Sequence, residues 1–222
     1  MKSRSWIYYC ILAVVIVPFL CIFILYLALL LGAPIEIETK EYKAELYIDG
    51  VCLTRYLGDD LEVIIPDSFL TLPVYSIGPH CFFDNDNIET VRVSDNVKYI
   101  ESEAFFSCKK LKSIEANNVV KVGFKAFSHD SKLENVKLGD KLYVIGWNAF
   151  EGCTALSYIP SKNSLREIGG QAFLNSGIND PGDLSGITVI SSDAFYNTPW
   201  KGWDTSDIAS PDGTIDNNTE EE

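Results

Sequence analysis

The chain is poor in the residues that most often carry chemistry. Only two histidines, His80 and His129, occur in 222 residues, and neither has a cysteine or carboxylate at zinc-site spacing beside it. No nucleophile elbow, phosphate-binding loop or metal-ligand cluster is present, so the sequence calls for no cofactor and offers no enzyme motif. The run "DNDN" at 84–87 has the opening of a calcium loop but lacks the glycine and distant glutamate of an EF-hand. Turn and capping roles suit it better. Positive charge is scarce as well: Lys2 and Arg4 aside, 16 basic side chains stand against 31 acidic ones. Such a field disfavours nucleic acid, heparin-like polymers and anionic lipid surfaces as ligands.

One stretch has no charge at all. Residues 6–32, "WIYYCILAVVIVPFLCIFILYLALLLG", would reach ~40 Å as a helix, enough for a ~30 Å hydrocarbon core with some tilt. Lys2 and Arg4 precede this run, whereas Glu36, Glu38 and Glu41 follow it with only Lys40 nearby. Cationic flanks stay cytoplasmic, so the expectation is a single transmembrane helix over 6–32, with residues 1–5 inside and the rest of the chain outside. A cleaved signal peptide is the competing reading. Its apolar region is usually ~7–15 residues and ends at small residues, while this run is longer and ends "LALLLGAP". At the far end, residues 204–222 hold seven carboxylates and no cation, the composition of an acidic disordered tail.

Between these ends the chain repeats itself. Ile77, Ile100, Val122, Ile145, Ile168 and Ile190 are 22 or 23 residues apart, and five residues after each comes Phe82, Phe105, Phe127, Phe150, Phe173 or Phe195. A small residue precedes every phenylalanine: Cys81, Ala104, Ala126, Ala149, Ala172 or Ala194. A period of this length signals a solenoid whose units bury themselves against their neighbours. With the opening residue as position 0, position 11 carries Ile88, Leu111, Leu133 and Leu156, and position 14 carries Val91, Ile114, Val136 and Ile159. The Ala-Phe half reads as a short helical turn, and the position 11–16 half as a short strand pairing in parallel with its neighbours. Pro160 lacks a backbone donor and is expected to end its strand; Pro181 and Gly182 should break the next one.

The lead-in "YIDGVCLTRYLGDDLEVIIPDSFLTLPVYSIGPHCF", the repeated units and the closing "AFYNTPW" together resemble the BspA-type bacterial leucine-rich repeat family over residues 45–203. Thr71-Leu72 before Pro73 departs from the family, which often has a glycine there. The resemblance implies an α/β, right-handed leucine-rich repeat solenoid over 77–203, behind a juxtamembrane segment and N-terminal cap at 33–76. It also implies protein recognition or adhesion at a bacterial surface, and it supplies no catalytic residues.

The cysteines read as reduced and structural. Cys10 and Cys21 fall in the apolar run, and Cys108 and Cys153 share position 8 two coils apart. At ~4.8 Å per coil their separation exceeds the ~7 Å reach of a disulfide. Cys52 with Cys81 stays open as a pairing.

Two surfaces are candidates for a partner. Position 15 points out of the strand face and reads Arg92, Glu115, Lys137 and Pro160; position 13 adds Thr90, Ser113, Asn135 and Tyr158. Position 6 is not held apolar by the repeat, yet reads Phe83 and Phe106 on adjacent coils, which predicts a stacked, partly exposed aromatic pair. A non-catalytic cell-surface module binding a protein partner or host surface protein is therefore the leading expectation. An extracytoplasmic scaffold or accessory subunit of a membrane complex is the second.

Overall fold

A computed structural model of the chain describes residues 32–160 and 163–201, with scattered helical positions between 20 and 30. Most of the expected membrane span at 6–32 and all of the acidic tail at 204–222 lie outside the described residues. Among the described residues, no helix is long and apolar enough to cross a membrane.

The domain opens with an antiparallel meander of β1 (Ile35–Glu38), β2 (Tyr42–Leu46) and β3 (Val51–Tyr56). Then come β4 (Glu62–Ile64), β5 (Ser68–Phe69) and β6 (Leu72–Ile77). Each later coil contributes strands of two or three residues. They are β7 (Thr90–Arg92), β8 (Tyr99–Ile100), β9 (Ser113–Glu115), β10 (Lys121–Val122), β11 (Asn135–Lys137), β12 (Val144–Ile145), β13 (Glu167–Ile168) and β14 (Val189–Ile190).

These strands form two ladders along the solenoid. The expected ladder at positions 13–15 runs β4-β7-β9-β11, all parallel, and places Val63, Val91, Ile114 and Val136 in register. It ends at β11, as the proline at position 15 of the next coil requires, and no strand forms at Pro181. The second ladder, β3-β6-β8-β10-β12-β13-β14, is also parallel and brings together the opening residues of the repeats, such as Val122 with Ile100 and Ile145. From β8 onward its strands are two residues long, too short for any alternation to appear in the sequence.

The Ala-Phe half corrects the expected helical turn, and with it the α/β class: the coil is β-strands and tight turns with almost no helix. In the second coil Ala104, Phe106 and Cys108 donate to the carbonyls three residues back. Glu103, Phe105 and Ser107 instead donate forward, to Phe124, Ala126 and Ser128 of the next coil. Glu103 (φ 56°) and Ser107 (φ 61°) take left-handed backbone, as do Lys125 and His129 one coil on. A left-handed residue at positions 3 and 7 stops an α-helix from propagating and turns alternate N–H groups along the solenoid axis. The helix-like spacing of Ala104, Phe105 and Cys108 is real, but neighbouring coils take the hydrogen bonds a helix would have kept.

Inside, the position-5 phenylalanines form one column. Phe82, Phe105, Phe127, Phe150, Phe173 and Phe195 stack with centroids 4.8–5.4 Å apart and interplanar angles of 2–7°. Tyr56 stacks on its first ring at 5.0 Å, and Trp200 meets its last ring edge-on at 5.3 Å. The lead-in and the closing "AFYNTPW" thus cap an aromatic core that each coil extends by one ring.

Candidate interaction surface

At position 6, Phe83 and Phe106 turn away from this column toward solvent, whereas Ser128 of the next coil is buried. Phe83 and Phe106 stack at 5.1 Å and 11°, with Phe83 44% exposed and Phe106 half-buried. His80, at position 3, tilts against Phe83 at 5.4 Å; His129, at position 7 of the next coil but one, meets Phe106 edge-on at 5.4 Å. The result is a row of four rings across three coils. His80 Nε2 lies 3.0 Å from Glu103 Oε2, which tethers one end of the row. An open cleft of about 590 Å³ adjoins Phe83 and is lined by Arg55, His80, Asp84, Asn85 and Asp86 among others. Asp84 and Asp86 lie 3.7 and 3.9 Å from Lys109 Nζ. Asn85 Oδ1 accepts from the backbone N–H groups of Asn87 and Ile88, so the "DNDN" run does cap the bend.

The strand face carries the other candidates in register. Ser113 Oγ donates to Thr90 Oγ1 at 3.4 Å, and Arg92 Nε lies 4.0 Å from Glu115 Oε2. Lys112 Nζ donates to Glu89 Oε2 at 2.6 Å, a bond that holds the Glu89 carboxyl below its usual range. Asn135 and Lys137 are exposed at the end of the ladder. These solvent-exposed pairs offset one another's charge and add little to stability. Tyr158 departs from its column: its hydroxyl bonds the Val136 backbone. Pro160 extends no ladder.

The four described cysteines, Cys52, Cys81, Cys108 and Cys153, are free and buried. Burial pushes the Cys52 thiol up to about 11 and also raises those of Cys81, Cys108 and Cys153 well above the ordinary value, so none is poised as a nucleophile. Position 8 also holds Asp130, wholly buried between the Cys108 and Cys153 coils. Its Oδ1 accepts from the Cys108 N–H at 2.7 Å, while Oδ2 has no partner. Burial raises this carboxyl well above its ordinary value. No group of three or more His, Cys, Asp and Glu side chains suited to a metal ion occurs among the described residues.

The sequence pointed to Phe83 and Phe106 but not to the histidines that extend their stack. The available signal was columnar: His80 and His129 occupy the two left-handed turn positions that flank position 6.

Three solved structures share this architecture. A leucine rich cell surface protein from Faecalibacterium prausnitzii is 20% identical, with a TM-score of 0.55 over 76% of this chain and 56% of that one. A leucine-rich repeat protein from Eubacterium ventriosum is 19% identical, with a TM-score of 0.60 over 80% and 54%. The pneumococcal vaccine antigen PcpA is 18% identical, with a TM-score of 0.55 over 74% and 48%. The chain thus spans about half the length of each of these relatives. No curated protein matches the chain. Six copies of the BspA type leucine rich repeat region match residues 75–200, the stretch that forms the stacked coils, and the chain belongs to that family.

Proposed function

We propose that this chain is a non-catalytic cell-surface binding module that offers the Phe83–Phe106 row to a protein partner. Residues 6–32 hold it in the bilayer, with the repeats outside the cytoplasm. The observation that carries the reading is the stack itself: two large aromatic side chains at a position the fold does not require to be apolar, left partly open to solvent. Exposed aromatic pairs of this kind supply the central anchors of protein interfaces, and polar surroundings supply the rim. The cleft beside Phe83 gives the partner a concave edge, and the self-compensated strand face adds hydrogen-bonding groups without a strong field.

Capture experiments with the full chain in detergent test this reading. Replacing both Phe83 and Phe106 by Ser should abolish capture of the protein partner while leaving the melting temperature close to that of the parent. Early unfolding of the double variant, or unchanged capture, would remove the row as a contact site. A stoichiometric integral membrane protein among the captured species would favour the accessory-subunit role over adhesion.

A further inference from the structure

The position 13–15 ladder has two ends, and they differ. At β11 the Tyr158 hydroxyl bonds both backbone groups of Val136. At β4 the ladder stops bare: β1 and β2 extend only the other ladder beyond β3, and β7 is the one strand paired with β4. The bonds that are made fix where the free groups point. The Leu61 carbonyl accepts from the Thr90 N–H at 3.1 Å, and the Ile65 N–H donates to the Arg92 carbonyl at 2.8 Å. Backbone groups of alternate residues point to opposite edges of a strand, so 61, 63 and 65 face β7 while Glu62 and Ile64 face away. Among the described residues, no N–H or carbonyl of Glu62 or Ile64 bonds another backbone group outside the β4–β7 ladder. The side chains are open as well: Ile64 is 68% exposed and Leu61 56%. Charge at this edge is one-sided. Residues 57–67, "LGDDLEVIIPD", hold Asp59, Asp60, Glu62 and Asp67 and no cation. None of the four takes part in an ion pair among the described residues, whereas Glu89 and Glu115 are matched by Lys112 and Arg92. Arg92 stands in register with Ile64, but its Nε lies 4.0 Å from Glu115, on the side away from β4.

We infer that β4 takes an added strand from a basic, extended segment of a partner protein. Glu62 and Ile64 each present an N–H and a carbonyl, the groups an extended peptide needs to continue a ladder. A cation opposite Glu62 completes a cross-strand ion pair, and an apolar residue two places along covers Ile64 on the same face. Charge excludes two other occupants. A second copy joined edge to edge would set one uncompensated carboxylate group against another, and like charges directly opposite are destabilising. The 204–222 segment of the chain itself carries seven carboxylates and no cation, so it is repelled in the same way. This edge shares no residue with the Phe83–Phe106 row.

The probes are the end-capped peptide Lys-Thr-Lys-Thr-Val-Thr and its reversed sequence, with Glu-Thr-Glu-Thr-Val-Thr as the acidic control. Each is titrated to about 5 mM against the full chain in detergent, by calorimetry and NMR. At least one basic peptide should bind the parent, more weakly as salt rises, and the acidic peptide should not. Ile64→Pro removes the outward donor but no bond to β7, because proline suits an edge position whose N–H faces solvent. It should abolish binding. Glu62→Lys leaves the backbone unchanged and should weaken binding about fivefold or more, which decides the matter if the proline variant melts early. The Phe83→Ser/Phe106→Ser variant should bind the peptide as the parent does. The inference fails if neither basic peptide binds the parent, or if the acidic one binds equally well. It fails too if Glu62→Lys or a folded Ile64→Pro binds as tightly as the parent. Self-association of the parent that Ile64→Pro abolishes would make a second copy the occupant and overturn it as well.

Discussion

The Tyr158 hydroxyl accepts from the Val136 N–H at 3.0 Å and donates back to the Val136 carbonyl at 3.3 Å. One side chain thus does for β11 what a neighbouring strand does for β7 and β9. The backbone at 158–160 runs into Pro160 and cannot continue the ladder, so the edge is closed from the side. An open edge would leave paired groups beside buried Val136 unsatisfied and present a template to other chains.

Tyr158→Phe keeps the ring and removes only that closure. Leaving two backbone groups without partners should cost ~1–3 kcal/mol, and the variant should aggregate more readily on heating. Chemical denaturation and light scattering read the two effects. Unchanged stability would mean that water satisfies the Val136 groups as well as the hydroxyl does.

Phe105→Ala should be far more damaging than Phe106→Ser, although the residues are adjacent. Phe105 is wholly buried between Phe82 and Phe127, and such truncations cost ~3–5 kcal/mol. Phe106 is half-buried and loses mainly its contacts with Phe83 and His129. Similar shifts in denaturation midpoint for the two variants would contradict this division.

Asp130 should make the domain less stable as pH rises. Its folded-state pKa is raised by burial, so the folded chain keeps a proton that the unfolded chain has lost above pH ~4. Stability is therefore fully present below that pH and declines as pH climbs toward the folded value. Asp130→Asn is neutral throughout and should match the parent near pH 4 but exceed it at pH 7.5. Denaturant titrations of both chains at the two pH values measure the difference; equal midpoints at pH 7.5 would show that the carboxyl ionises without cost.

The β5–β6 hairpin turns through Leu70 (φ 48°) and Thr71 (φ 74°), both in left-handed backbone that branched side chains resist. This is the place where the sequence lacks the glycine common in its family. Leu70→Asn with Thr71→Gly should stabilise the domain by about 1–2 kcal/mol. A lowered melting temperature would mean that the two side chains pack usefully against the cap.

Residues 6–32 should remain in the mature protein. Intact-mass and N-terminal analysis of membrane-extracted chains decides this, and recovery only of chains starting near residue 33 would establish cleavage.

The repeat columns alone determined the coil length, the inward phenylalanine stack, the register of the position 13–15 strands and their end at Pro160. Each follows from one residue type recurring every 22 or 23 positions, and a solenoid turns such a column into a line of direct contacts. Phe83 and Phe106 were legible for the same reason: two aromatics broke a column that was otherwise mixed. Other features depended on groups a full coil apart and left no local trace. Whether Glu103 and Ser107 adopt left-handed backbone is settled by the carbonyls of Phe124 and Ser128, not by the residues around them. The ladder through Tyr99–Ile100 is likewise invisible in two residues and exists only because five other coils supply partners. Tyr158 reads as one more strand residue until Pro160 stops its backbone and leaves its hydroxyl beside Val136. Trp147 lies close over Gly170, 23 positions later, because the next coil passes beside it.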